Sequence, residues 1–118
     1  MGIAVKRAYD PPSPDDGYRV LVDRLWPRGI SKEEARLDEW LKELAPSNEL
    51  RQWFHKNLSH RDEFRQRYLA ELVGYEKTLR RLAHIARTGQ LTLVYSSRNE
   101  DFNNATVLKE HLETLMSS

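Results

Sequence analysis

Three arginines, Arg24, Arg28 and Arg98, stand in two loops that each follow an apolar run. The first loop, "RLWPRG" (24–29), also holds Trp26 and follows directly on Asp23. The second, "SSRNEDFNN" (96–104), holds Ser96, Ser97, Asn103 and Asn104, with Tyr95 just before it. Arginine presents a planar fork of donors that grips a carboxylate or a phosphate, so this company predicts a site for an anionic small molecule. Arg24, Arg28 and Arg98 would bind charge, and Ser96, Asn103 and Asn104 would supply hydrogen bonds. Trp26 and Tyr95 would pack a ring or an apolar part of the ligand. Asp23 is placed to orient Arg24 or Arg28. Should the site be catalytic as well, Asp23 and His55 are the nearby general bases.

Each of these residues also has a plainer role open to it. Arginines at strand ends form structural ion pairs, an asparagine ahead of a helix caps it, and a tryptophan fills a core. The case for a site rests on both loops meeting at one place.

The elements that would bring them together follow from the hydrophobic pattern. "GIAVKRA" (2–8), "YRVLVDR" (18–24) and "LTLVYSS" (91–97) read as strands, the last two as continuous apolar and β-branched runs suited to burial on both faces. "YDPPSPDDG" (9–17) is loop, punctuated by prolines and an Asp-Gly turn. Ser31 with Glu34 forms a capping box, and Leu37, Trp40, Leu41 and Leu44 recur at helical spacing up to Pro46. Ser47 caps the next helix, whose buried face carries Leu50, Trp53 and Phe54, and Ser59 with Asp62 offers a further start. A stripe of Phe64, Tyr68 and Leu72 continues past Gly74 as Tyr75, Leu79, Leu82 and Ile85, and Gly89 stands where a C′ glycine belongs. A last helix from about Asn103 puts Ala105, Leu108, Leu112 and Leu115 on one face.

Strand, helices, strand implies a parallel pair joined by a right-handed crossover. The expected fold class is therefore α/β: a small layered domain, residues 1–118, with a mainly parallel sheet of three or slightly more strands flanked by helices. The first strand's direction is left open, since a short loop to the second favours antiparallel pairing. In open α/β sheets ligands bind outside the carboxyl ends of the strands, where the two arginine loops emerge.

Composition excludes several alternatives. The 118 residues carry a net charge of +1 and no cysteine, so disulfides, thiolate chemistry and cysteine-held metals are out. No apolar run approaches a membrane span, and the N-terminus lacks the apolar stretch of a signal peptide, so a cytoplasmic location is expected. His55, His60, His84 and His111 lie on separate segments without a metal-binding spacing, and no nucleotide-binding loop or nucleophile elbow is present. No cofactor and no metal are expected. Residues 61–87 hold seven basic side chains among four acidic ones, which reads as a solvated helix face. That face supports the alternative function, a binding module for nucleic acid or protein. The oligomeric state is left open.

"KRAYDPPSPDDGYRVLVDRLWPRG", "LDEWLKELAPS", "LRQWF" and "LVYSSRNEDFNNA" together resemble the YeaO-like branch of the domain-of-unknown-function 488 family over nearly the whole chain. The resemblance implies a small cytoplasmic bacterial or archaeal α/β protein with no assigned reaction. In the broader family, as the resemblance implies, the first loop has an Asp-Val-Arg pattern followed by a proline and another arginine. Asp23-Arg24 and Pro27-Arg28 occupy similar places here. The broader family's second loop tends to carry cysteines and a histidine, where this chain has Tyr95-Ser96 and Asn103-Asn104. The arginine half of that pattern is kept and the cysteine half is absent.

Overall fold

The computed structural model describes residues 2–117. Four strands, β1 (Gly2–Arg7), β2 (Tyr18–Leu21), β3 (Glu39–Trp40) and β4 (Gln90–Tyr95), form one sheet in the order β1-β4-β2-β3. All its pairings are parallel. The first strand is thus parallel too, against the inclination a short loop suggests. The reason is that β1 does not pair with β2 at all: β4 lies between them, and the 8–17 segment must cross it.

The helices are α1 (Lys32–Ala35), α2 (Asn48–His55), α3 (Arg61–Glu71), α4 (Glu76–Thr88) and α5 (Asn104–Met116). Alternation along the strands sorts the two faces of the sheet. Ile3, Val20, Val22, Leu91, Leu93 and Tyr95 join the large core with side chains of α2 to α5. On the opposite face Ala8, Leu21 and Val94 make a smaller cluster, covered by Trp26, Ile30, Leu37 and Trp40 rather than by long helices.

The helical stripe expected through Leu44 is broken early. Arg36 takes a left-handed conformation (φ 48°) and ends α1. Asp38 then exchanges bonds with Arg19, its N–H on the Arg19 carbonyl (2.8 Å) and its carboxylate on the Arg19 N–H (2.8 Å). The Leu41 N–H reaches the Leu21 carbonyl (2.9 Å), so the segment is captured as β3. Two further expectations fail locally: α3 is capped at His60 without a side-chain bond, not at Ser59, and Gly89 ends α4 in an extended conformation. The other caps hold, with Ser47 Oγ accepting from the Leu50 N–H and Asn103 Oδ1 from the Thr106 N–H.

One buried hydroxyl ties α3 to the segment that leads into α2. Tyr68 is fully buried on α3 and donates to the carbonyl of Leu44. Burial, aided by the charges of Asp23 and Glu71, pushes its pKa up, so the group stays a donor. Tyr68→Phe strands that carbonyl and is expected to cost about 1–2 kcal/mol, measured by urea unfolding.

Candidate functional site

Because every strand is parallel, the loops after β1, β2 and β4 leave from the same edge of the sheet. Asp23 is the link between the two arginine loops. Its Oδ2 accepts the Ser96 N–H (2.8 Å), and its Oδ1 accepts the Asn104 side-chain amide (3.0 Å). The same amide also donates to the Val22 carbonyl (3.0 Å). The Trp40 indole closes the arrangement by donating to the Asp23 carbonyl (2.8 Å). Asp23 therefore does not orient Arg24 or Arg28 as the sequence suggests: its carboxylate holds β4's exit loop and the first turn of α5.

Arg24 is half-buried, and one of its terminal nitrogens makes only long contacts, to the carbonyls of Ala45 (3.5 Å) and Pro46 (3.4 Å). Its Nε is sealed from solvent and has no hydrogen-bond partner, and the same is true of Ser96 Oγ. Among the described residues these are the buried side-chain polar atoms left in that condition. Groups of this kind are rare in folded proteins, and each calls for an explanation, commonly a missing ligand or water. Here both belong to the paired loops at one sheet edge.

The remaining predicted residues divide. Arg28 and Arg98 are exposed on the rim, and the Arg28 carbonyl accepts from the Tyr9 hydroxyl (3.1 Å). Trp26 packs edge-on against Trp40 (centroids 5.4 Å apart) and donates to the Ile30 carbonyl (2.6 Å). Tyr95 is buried in the large core. Burial, and behind it the Glu100 carboxylate, pushes its hydroxyl pKa up. Asn103 is the N-cap of α5, buried, with its amide on the Asn99 carbonyl (2.9 Å). His55 ends α2 exposed.

Sequence reasoning missed Arg7, at the end of β1. Its guanidinium donates to the carbonyls of Ser97 (3.0 Å) and Ser96 (3.3 Å) and so braces the second loop from the other side. Its signal was a charge ending an apolar strand, the same signal that marked Arg24. A separate cleft of about 790 Å³ lies on the thinly covered face, lined by Tyr9, Pro12, Ile30, Glu33 and Arg36 among others. No cluster of metal-ligating side chains occurs among the described residues.

The basic residues of 61–87 are largely engaged within the molecule. Arg65 pairs with Asp62 (3.0 Å) and Glu110 (3.3 Å), and Arg67 pairs with Glu63. Arg81 grips Glu39 with two bonds (2.9 and 2.7 Å), and Arg87 donates to the carbonyls of Leu115 (2.6 Å) and Met116 (3.3 Å). No helix among the described residues is long and apolar enough to cross a membrane.

Comparison with known proteins agrees with the resemblance seen in the sequence. The family model described as the inactive DUF488-N3 subclade matches residues 2–118. The chain is 52% identical to the uncharacterized protein YeaO of Escherichia coli K12 over 115 residues, covering 98% of this chain and all of that protein. It is 41% identical over 110 residues to the uncharacterized protein Rv3073c of Mycobacterium tuberculosis H37Rv, covering 93% of this chain and 92% of that one. The uncharacterized protein Mb3100c of Mycobacterium bovis matches with the same identity and coverage. No solved structure matches the chain.

Proposed function

The chain belongs to the inactive DUF488-N3 subclade of the DUF488 family, and from that premise we propose that it binds a small anion, without turning it over, at the carboxyl edge of its sheet. The observation that carries this reading is the pair of sealed, unpartnered polar atoms, Arg24 Nε and Ser96 Oγ, on the two loops that Asp23 ties together. An oxyanion between these loops supplies the missing acceptor to both groups, and the unused donors of the Arg24 fork add to its hold. Arg28 and Arg98, exposed at the rim, raise the local concentration of anions and guide them inward. Both orphan atoms are closed to solvent, so the ligand gains access as the 22–30 and 96–103 segments part.

The absence of turnover fits the two general-base candidates. Asp23 already accepts two hydrogen bonds that hold the loops, and His55 stands exposed at the end of a helix. Neither is free to move a proton on a ligand seated at Arg24.

A thermal-shift screen of wild type, Arg24→Ala and Arg28→Ala against phosphate, sulfate, nucleotides, carboxylate metabolites and a short RNA tests the reading. A ligand at 100 times its Kd stabilises a protein by about 2.7 kcal/mol, enough to see. The expected result is a small anion that stabilises wild type, stabilises Arg28→Ala less, and leaves Arg24→Ala unmoved. A response to RNA alone, steeply dependent on salt and unchanged by Arg24→Ala, would move the function to the 61–87 face.

A further inference from the structure

The surroundings of Arg24 hold acceptors in want of a donor as well as donors in want of an acceptor. Leu44, Ala45 and Pro46 are successive buried residues. The carbonyl of Leu44 accepts from the Tyr68 hydroxyl. The carbonyls of Ala45 and Pro46 share one terminal nitrogen of Arg24, at 3.5 and 3.4 Å. No other donor among the described residues reaches either of them. One nitrogen divided between two oxygens at the limit of bonding range leaves both under-served, whereas a buried carbonyl ordinarily has a full partner.

The charge balance narrows the ligand further. Arg24 brings one positive charge. Asp23 brings one negative charge, and its Oδ2 holds the N–H of Ser96 (2.8 Å), the residue whose Oγ is unpartnered. A second carboxylate, Glu71, holds the residue after Pro46, taking the Ser47 N–H (2.8 Å) and hydroxyl (2.6 Å). Arg24 Nε and Ser96 Oγ are sealed from solvent, so water does not dilute these charges there. One guanidinium beside Asp23 offsets a single negative charge on a ligand far better than two. Arg28 and Arg98 are exposed, and solvent and salt screen them from that balance.

Given an anion between Arg24 Nε and Ser96 Oγ, as proposed above, we infer that it is a free, singly charged oxyanion that keeps a proton of its own, of the kind dihydrogen phosphate represents. Its oxygens accept from the Arg24 Nε–H and the Ser96 hydroxyl, and its O–H donates to the carbonyl of Ala45 or Pro46. One ligand then serves the orphaned donors and the under-served acceptors together. An anion without a proton sets its lone pairs against those carbonyls and leaves them unmet, which weakens its binding. The enclosure of both orphan atoms suits a free ion better than the end of a larger molecule.

Titrating four anions into 15N-labelled wild type tests the inference, in mildly acidic buffer where inorganic phosphate is mostly singly charged. The Ser96 amide is the reporter, so ions gathered by the exposed arginines do not count. The anions are inorganic phosphate, sulfate, methanesulfonate and glycerol 3-phosphate. Sulfate has the shape of phosphate with two charges and no proton, and methanesulfonate has one charge and a methyl where phosphate keeps a hydroxyl. Phosphate is expected to bind about tenfold or more tighter than either. It is expected to bind tighter than glycerol 3-phosphate as well. Sulfate as tight as phosphate overturns the inference while leaving an anion site in place. Methanesulfonate as tight as phosphate also overturns it, because charge alone then selects the ligand. Glycerol 3-phosphate as tight as phosphate overturns the assignment to a free ion. A Ser96 amide that none of the four moves overturns anion binding itself, and this inference with it.

Discussion

Replacing Arg19 by methionine is expected to lower the free energy of unfolding by about 3–5 kcal/mol, the largest loss for any single charge in this chain. Arg19 is buried on β2, yet each nitrogen of its guanidinium has a partner: Asp16 Oδ2 (2.6 Å), the Ala35 carbonyl (2.9 Å) and the Arg36 carbonyl (3.2 Å). Asp16 is buried as well, and its other contacts are Lys6 and the Ser13 N–H (2.9 Å). Methionine matches the length of the arginine stem but leaves the Asp16 charge with half its compensation and two helix-end carbonyls with none. Those carbonyls end α1, so the cover over the smaller apolar cluster loosens with them.

The loss has a pH signature. Burial alone would raise the Asp16 pKa, but the Ser13 N–H and the Lys6 and Arg19 cations outweigh it and hold the carboxyl below its ordinary value. A group whose folded pKa is depressed contributes stability above its unfolded pKa and loses it as pH falls through the folded one. The gap between wild type and Arg19→Met is therefore full at neutral pH and narrows below about pH 4. Urea unfolding at a series of pH values measures it. A gap under about 1 kcal/mol at pH 7, the size of an exposed pair, would contradict the account.

The second large effect is expected at Asp23. Asp23→Ala leaves the Ser96 N–H without an acceptor and takes one of two acceptors from the Asn104 amide, at a cost of about 2–3 kcal/mol. It also unties the two loops, so on the proposed reading the thermal shift produced by the anion is expected to shrink. Asp23→Asn keeps one acceptor and loses less of both. Denaturant unfolding and the thermal-shift response to the anion, run on the same three proteins, separate the two consequences. Asp23→Ala within about 0.5 kcal/mol of wild type would mean the clamp is not structural.

The strands and the edge they share were legible because burial writes long apolar runs into a chain: "RVLV" and "LTLVY" could hardly be anything but covered strands. The segment 36–44 was misread because Leu37, Trp40, Leu41 and Leu44 fit a helical period. What overrode the period was pairing with β2, through Asp38 and the Leu41 N–H, which local pattern does not encode. At the site the loops could be placed together from sequence, but the division of labour within them could not. Asn103 proved to be a cap and Asn104 a bridge between loops, a difference of one residue on a helix start. The buried Arg19–Asp16 pair had a readable sign, an arginine inside an apolar strand three residues after an aspartate. A charge there must find its partner close by.

On the proposed reading an anion pairs with Arg24 Nε, and the resonance of that Nε–H reports its arrival. Titrating inorganic phosphate into 15N-labelled protein should move that side-chain signal and the Ser96 amide saturably, with the Ser96 response lost in Arg24→Ala. An Arg24 signal that stays fixed while phosphate, sulfate and carboxylates are each taken to saturation would contradict the account.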